Sequence, residues 1–335
     1  MNYTIVLTSL LIGLASTSTF SAPKLYMTLQ KENKIAVVDT LSDTLITTIP
    51  VGGMPHDVIC SLDKKTVFVS NPMTNDTMAI DVMSDKVISR IDLKENAVPW
   101  HIDVSLDGQW VYTAAMDQFA VVQMSASDFN KVFRKISFSA EPWAIASTQE
   151  KIYVSLNGSV AKGTANTVNL VGIFNKNDSD PKITYVNVGY GSHGLLASHD
   201  KKYIYVASQK DHEVWRINVA NDHSEMFTKI PGDAPLNPGF PTDIAISPNN
   251  KIVIAFNHDI DSMTFINAAD GKIIETVTTG NGSLPWGGIY SLDGSKVYVA
   301  TNGLDTISVF DAHTRKLIDK IKVGKGADGM TICGQ

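Results

Sequence analysis

The chain has 335 residues, 44% of them hydrophobic and 19% charged, enough to bury a large core in one or two domains. Lys and Arg number 28 against 34 Asp and Glu, a net charge of −6. That mild acidic excess, with the basic residues scattered, excludes the basic cluster that nucleic acid or an anionic membrane requires.

The first element is an apolar run from Ile5 to Ala15, followed by Ser16, Thr17, Ser18 and Thr19. It is too short to span a bilayer, which takes about 20 apolar residues. It reads as the core of a signal peptide over residues 1–22, although no Lys or Arg precedes it. The mature chain, 23–335, is then periplasmic or secreted and has no membrane span. The competing reading of this run is a buried N-terminal strand.

Leu25 to Thr28 and Ile35 to Asp39 read as strands, and after them one phrase recurs: a small turn, a short apolar strand, a polar turn, and a second strand ending in a small residue. Its first copy is Met54-Pro55-His56-Asp57-Val58 with Thr66 to Asn71, and its second is Val98-Pro99-Trp100-His101-Ile102 with Trp110 to Ala114. Further copies open at Pro142-Trp143, Ser192-His193, Pro241-Thr242-Asp243 and Pro285-Trp286, and a seventh opening, Ala327-Asp328-Gly329-Met330, arrives just before the chain stops. Successive openings are 44, 43, 50, 49, 44 and 42 residues apart. Third strands follow, such as Met78 to Val82 and Ile307 to Asp311, then fourth strands: Lys86 to Asp92, Lys272 to Thr278, Lys316 to Val323.

A period in the forties built of short strands is that of a four-stranded propeller blade. Leu25 to Thr28 is a second strand without its first, and Met330 to Cys333 is a first strand without the rest. One blade is therefore completed from both termini, which removes an open sheet edge. The expected fold is all-β: a seven-bladed β-propeller over residues 23–335.

Ser291 to Asn302, then Thr306 to Asp311, then Lys316 to Ile318 resemble the YVTN-type propeller repeats of exported bacterial and archaeal proteins, with weaker copies along the mature chain. The resemblance implies the fold and leaves the function open, since such propellers include lactonases, amine dehydrogenase subunits, a haem domain and plain binding proteins. It also implies that the loops opening first strands share one face with those joining second to third strands. His56, His101, His193, His212 and His258 fall on that face, with Trp100, Trp143, Trp286, Asp57, Asp103, Asp243, Asp259, Asp261 and Asp328. The insertions Leu156 to Asn166 and Pro231 to Gly239 point there too, as binding-face insertions of repeat proteins do.

The candidate ligand-binding residues are accordingly His56, Trp100, His101, Trp143, His193, Asp243, His258, Trp286 and Asp328, around the mouth of the central channel. The expected function is binding of a small molecule or a protein partner there, with no nucleic acid. The alternative is a redox or lactonase-like propeller using the mouth His and Asp residues. His56, His101 and His193 would be the metal candidates, and a haem would take one axial His. No His pair has tight metal spacing, no Cys-x-x-Cys-His is present, and neither a G-x-S-x-G nor an H-E-x-x-H motif occurs. The sequence requires no cofactor and identifies no enzyme. For acid–base chemistry, strand alternation favours His101 with Asp103 as base and orienting carboxylate.

Cys60 and Cys333, the two cysteines, lie on matching strands of neighbouring blades, offset by one residue. Export would allow them to join; two separate buried thiols are the alternative if the strands stand too far apart.

Overall fold

The computed structural model describes residues 22–160, 169–232 and 239–334. The expected signal peptide and the centres of both insertions lie outside them. The described residues form seven antiparallel sheets of four strands each, arranged as blades around one axis. The inner strand of each blade opens with the recurring phrase: Val58–Cys60, Pro99–Val104, Ala140–Ser147, Ser192–Ala197, Pro241–Ile246, Pro285–Tyr290 and Ala327–Cys333.

Second strands such as Thr66–Asn71 and Lys296–Thr301 are buried almost throughout, because each blade is covered by the one before and the one after. That is why they read as continuous Val, Ile, Tyr and Ala runs and do not alternate. Outer strands such as Thr44–Pro50 and Lys86–Asp92 face solvent and carry polar residues. Between blades lie seven apolar clusters, one for each neighbouring pair. The cluster joining the last blade to the first contains Tyr26, Val37, Val58, Val67 and Cys333, so the ring is closed by core packing.

Closure is also covalent and hydrogen-bonded. Ala327–Cys333 pairs antiparallel with Lys24–Leu29, from Lys24 opposite Cys333 to Leu29 opposite Ala327, so both termini complete one blade. Cys60 and Cys333 are joined across the junction between the first and last blades, with Cα atoms 5.4 Å apart. A polar staple recurs between blades at the far face. Lys296 Nζ and Tyr298 OH both reach Asp43, at 2.6 and 2.7 Å; Lys24 with Tyr26 reaches Asp85, and Lys151 with Tyr153 reaches Asp222. Each of these aspartates sits in a left-handed turn residue of the next blade, with φ of 54°, 52° and 57°.

One irregularity positions the functional residues. The register slips between Pro99 and Ile102, between Pro142 and Ile145, between Ser192 and Leu195, between Pro241 and Asp243, and between Pro285 and Gly288. At these bulges the inner strand holds an extra residue against its neighbour, which re-aims side chains at the strand opening.

Candidate functional site at the channel mouth

Because of the bulges, two consecutive residues of each opening serve the same end of the channel. The first of the two positions supplies His56, Trp100, Trp143, His193, Trp286 and Asp328; the second supplies Asp57, His101 and Asp243, with Gly at 194, 287 and 329. The channel is one cavity of about 540 Å³, and His56, Trp100, His101, Trp143, His193, Asp243, Trp286 and Asp328 all line it. His258 does not. It stands behind Trp286, ring centroids 4.5 Å apart, with Nδ1 2.6 Å from Asp259.

Aromatic rings form an arc at the mouth. His56 lies 3.8 Å from Trp100, Trp100 lies 5.4 Å from Trp143, Trp143 lies 4.7 Å from His193, and His193 lies 6.2 Å from Trp286, centroid to centroid. Apart from the closer His56–Trp100 contact, these are ordinary packing distances for aromatic pairs. The indole Nε1 atoms of Trp100 and Trp143 are buried and have no partner.

Each imidazole is fixed by the following blade. His56 Nδ1 meets the Trp100 carbonyl at 3.1 Å, and His193 Nδ1 meets the Thr242 carbonyl at 2.8 Å. A carbonyl only accepts, so both rings carry their proton on Nδ1 and leave Nε2 as a lone pair when neutral. His101 is the opposite tautomer: its Nδ1 accepts from the Ile145 N–H at 3.2 Å, and its Nε2 faces Asp57 Oδ2 at 3.4 Å. Asp57 Oδ2 in turn accepts from the Ile102 N–H at 3.0 Å.

Burial sets the charges. It holds the His56 imidazole well below its usual range, with His193 and His101 as further causes, and brings His193 down to about 4. Burial pushes Asp243 up to about 7. It also raises Asp328 well above an ordinary carboxyl, helped by Asp57 and Asp243 nearby. His56 Nε2 lies 3.5 Å from Asp328 Oδ2, and Gln30 Nε2 donates to the same oxygen. Burial favours the neutral form of both groups, so this contact is not a fully charged ion pair.

Several sequence expectations change here. The carboxylate paired with His101 is Asp57 of the preceding blade, not Asp103, which burial pushes up further down the channel. His56 in turn faces Asp328 of the blade completed by both termini. Asp261 is a structural cap: it accepts from the N–H groups of Gly282 and Leu284, at 2.7 and 2.8 Å, and so holds the loop that opens the next blade. Asp57 is placed on this face by its opening phrase but left out of the ligand set, and Gln30 is missed; the partners of Asp57, His101 and the Ile102 N–H, come from another blade.

Among the described residues no three His, Cys, Asp or Glu side chains are arranged to hold a metal ion, so His56, His101 and His193 share a channel without forming a ligand set. A haem fits no better. Each ring of the arc lies against the next, so no flat macrocycle enters between neighbouring rings.

No protein-family model matches this sequence, and no curated protein matches it either. Solved structures do match in fold. The periplasmic gluconolactonase PpgL of Pseudomonas aeruginosa superposes with a TM-score of 0.75 at 15% identity, over 93% of this chain and 99% of its own. Kuenenia stuttgartiensis hydrazine synthase gives a TM-score of 0.74 at 16% identity, over 91% and 99%. The dihydro-heme d1 dehydrogenase NirN gives 0.67 at 14%, over 96% and 78%. The chain is a seven-bladed β-propeller, similar to all three in fold; at these identities the likeness carries no activity across.

Proposed function

We propose that this chain is an exported propeller of YVTN type that binds a small organic ligand in its channel mouth. The observation that supports this reading is the convergence of all seven blades' opening residues on one cavity of about 540 Å³. That size suits a small molecule, and aromatic walls with a few fixed polar groups are the usual lining of such sites. A protein partner would have to insert a segment into the same opening. Export is supported by the leader-like run and the two joined cysteines. The test is a thermal-shift and tryptophan-fluorescence screen of neutral, anionic and cationic small molecules against the intact protein and its Trp286→Ala and His193→Ala variants. Hits lost in the variants support the mouth; hits that persist in both place the binding site elsewhere.

A hydrolytic, lactonase-like reading has one observation in its favour, the Asp243 carboxyl at about 7, suited to general-base work near neutrality. Among the described imidazoles of the mouth, none offers a free N–H to a carbonyl oxygen. His56 and His193 spend their Nδ1–H groups on backbone carbonyls, and His101 Nε2 faces Asp57. Binding is therefore the better reading. Hydrolysis of a sugar lactone by the intact protein, lost in Asp243→Asn, would reverse that order.

A further inference from the structure

The mouth gathers carboxyls and indoles without a balancing cation. Asp57, Asp243 and Asp328 come from three different blades, yet Asp328 is perturbed by both of the others. Among the described residues lining the cavity, the only Lys or Arg is Lys201. It sits in the turn beyond the inner strand Ser192–Ala197, at the other end of the channel, where Asp103 is its neighbour. The imidazoles do not replace it: burial keeps His56 and His193 neutral at pH 7, and His101 accepts the Ile145 N–H on Nδ1, which leaves that nitrogen without a proton.

The carboxyls are also unsuited to a small, hard metal ion. Asp57 Oδ2 is held by the Ile102 N–H and Asp328 Oδ2 by Gln30, and no ligand set forms among the described residues. What remains is a cluster of carboxyls, which burial keeps partly protonated while the mouth is empty, bordered by aromatic surface. Trp100 and Trp143 keep their Nε1 atoms buried, so the surface they give the cavity is ring carbon. A large cation of low charge density meets both features, since ring faces attract it electrostatically and the carboxyls need not surrender their protein partners.

We infer that the mouth is a site for an alkylated ammonium ligand, its methyl or methylene groups against Trp100, Trp143 and Trp286 and its charge toward Asp57, Asp243 and Asp328. This rests on the small-ligand reading above and narrows it to one chemical class. Binding is coupled to protons. A cation in the mouth favours the ionised form of Asp243 and Asp328, so protons leave as it enters, and affinity rises as the pH does.

The probe is choline, set against its neutral carbon isostere 3,3-dimethylbutan-1-ol, by tryptophan-fluorescence titration and by calorimetry in two buffers of different ionisation enthalpy. Choline is expected to bind at least about tenfold more tightly than the isostere, more tightly at pH 8 than at pH 6, and with release of protons to the buffer. Asp243→Asn, which keeps shape and loses charge, is expected to remove that preference while the melting temperature shows that the fold is intact. Equal binding of choline and its isostere overturns the ammonium class and leaves the small-ligand reading standing. No binding of choline, tetramethylammonium or butylammonium overturns the ammonium class also. The small-ligand reading falls only if the wider screen finds nothing at the mouth.

Discussion

Asp243 Oδ2 lies 2.5 Å from the point that a Cβ on Gly287 would occupy. On its other side, a Cβ on Gly194 would meet the Thr242 carbonyl oxygen at 2.6 Å and Asp243 Cα at 2.7 Å. The raised carboxyl of Asp243 is thus seated where glycines of two neighbouring blades let the chains approach closely. The two contacts differ in kind. At Gly287 the obstacle is the end of a side chain, which can turn away; at Gly194 it is backbone, which cannot.

Gly194→Ala is therefore expected to destabilise by about 1–3 kcal/mol, as overpacking does, and to lower the melting temperature by several degrees. Gly287→Ala is expected to melt close to the wild type but to displace the Asp243 carboxyl and weaken any ligand that depends on it. Thermal melts of the two variants side by side check this. A Gly194→Ala protein as stable as Gly287→Ala would mean that the blades are not packed so tightly at the mouth.

A second prediction concerns pH. The folded Asp243 carboxyl titrates at about 7, above its ordinary 3.8, so the stability linked to it is fully present below about pH 4 and is lost as the pH rises through 7. His193 titrates at about 4 when folded, below its ordinary 6.5, so its contribution is present above 6.5 and lost as the pH falls through 4. In the wild type the two trends oppose each other across one window. Asp243→Asn removes only the first. The melting temperature of the variant relative to the wild type is expected to rise by a few degrees between pH 4.5 and pH 7.5. A difference that stays flat across that range would show that Asp243 ionises as an ordinary carboxyl.

The propeller was legible because its period is written locally. Each opening, polar turn and second strand forms a hairpin from adjacent residues, and strands such as Lys86–Asp92 follow directly from the hydrophobic pattern. The channel mouth was legible as a collection of residues, since the same phrase that starts a blade names its occupants. Their pairing was not. Strict alternation along a strand selects His101 with Asp103, whereas a bulge at Trp100-His101 turns His101 toward Asp57 of the preceding blade. The staple of Lys296 and Tyr298 on Asp43 escapes for the same reason: its strand motif is plain in the sequence, but its acceptor lies about 250 residues away and is chosen by the ring. Contacts within a blade could be read, and contacts between blades needed the closed circle.

The last prediction tests that circle at its one covalent joint. Cys60 and Cys333 span 273 residues, so a bridge between them ties nearly the whole described chain into one loop. The chain-entropy view gives about 5 kcal/mol for a loop of that length, and real bridges often contribute less. The ring is held independently by the pairing of Ala327–Cys333 with Lys24–Leu29 inside the closing blade and by the apolar cluster around Tyr26 and Val67 across the junction the bridge spans. Losing the bridge should therefore loosen the ring without opening it. Alkylation of the denatured, unreduced protein is expected to add nothing to the intact mass, and alkylation after reduction to add two groups. Cys60→Ser with Cys333→Ser is expected to melt several degrees lower and still fold. Deleting residues 326–335 removes the bridge and the inner strand together, exposes a sheet edge, and is expected to cause unfolding at much lower temperature with aggregation. Two thiols alkylated before reduction, or a double variant melting within a degree of the wild type, would show that strand pairing and packing alone close the ring.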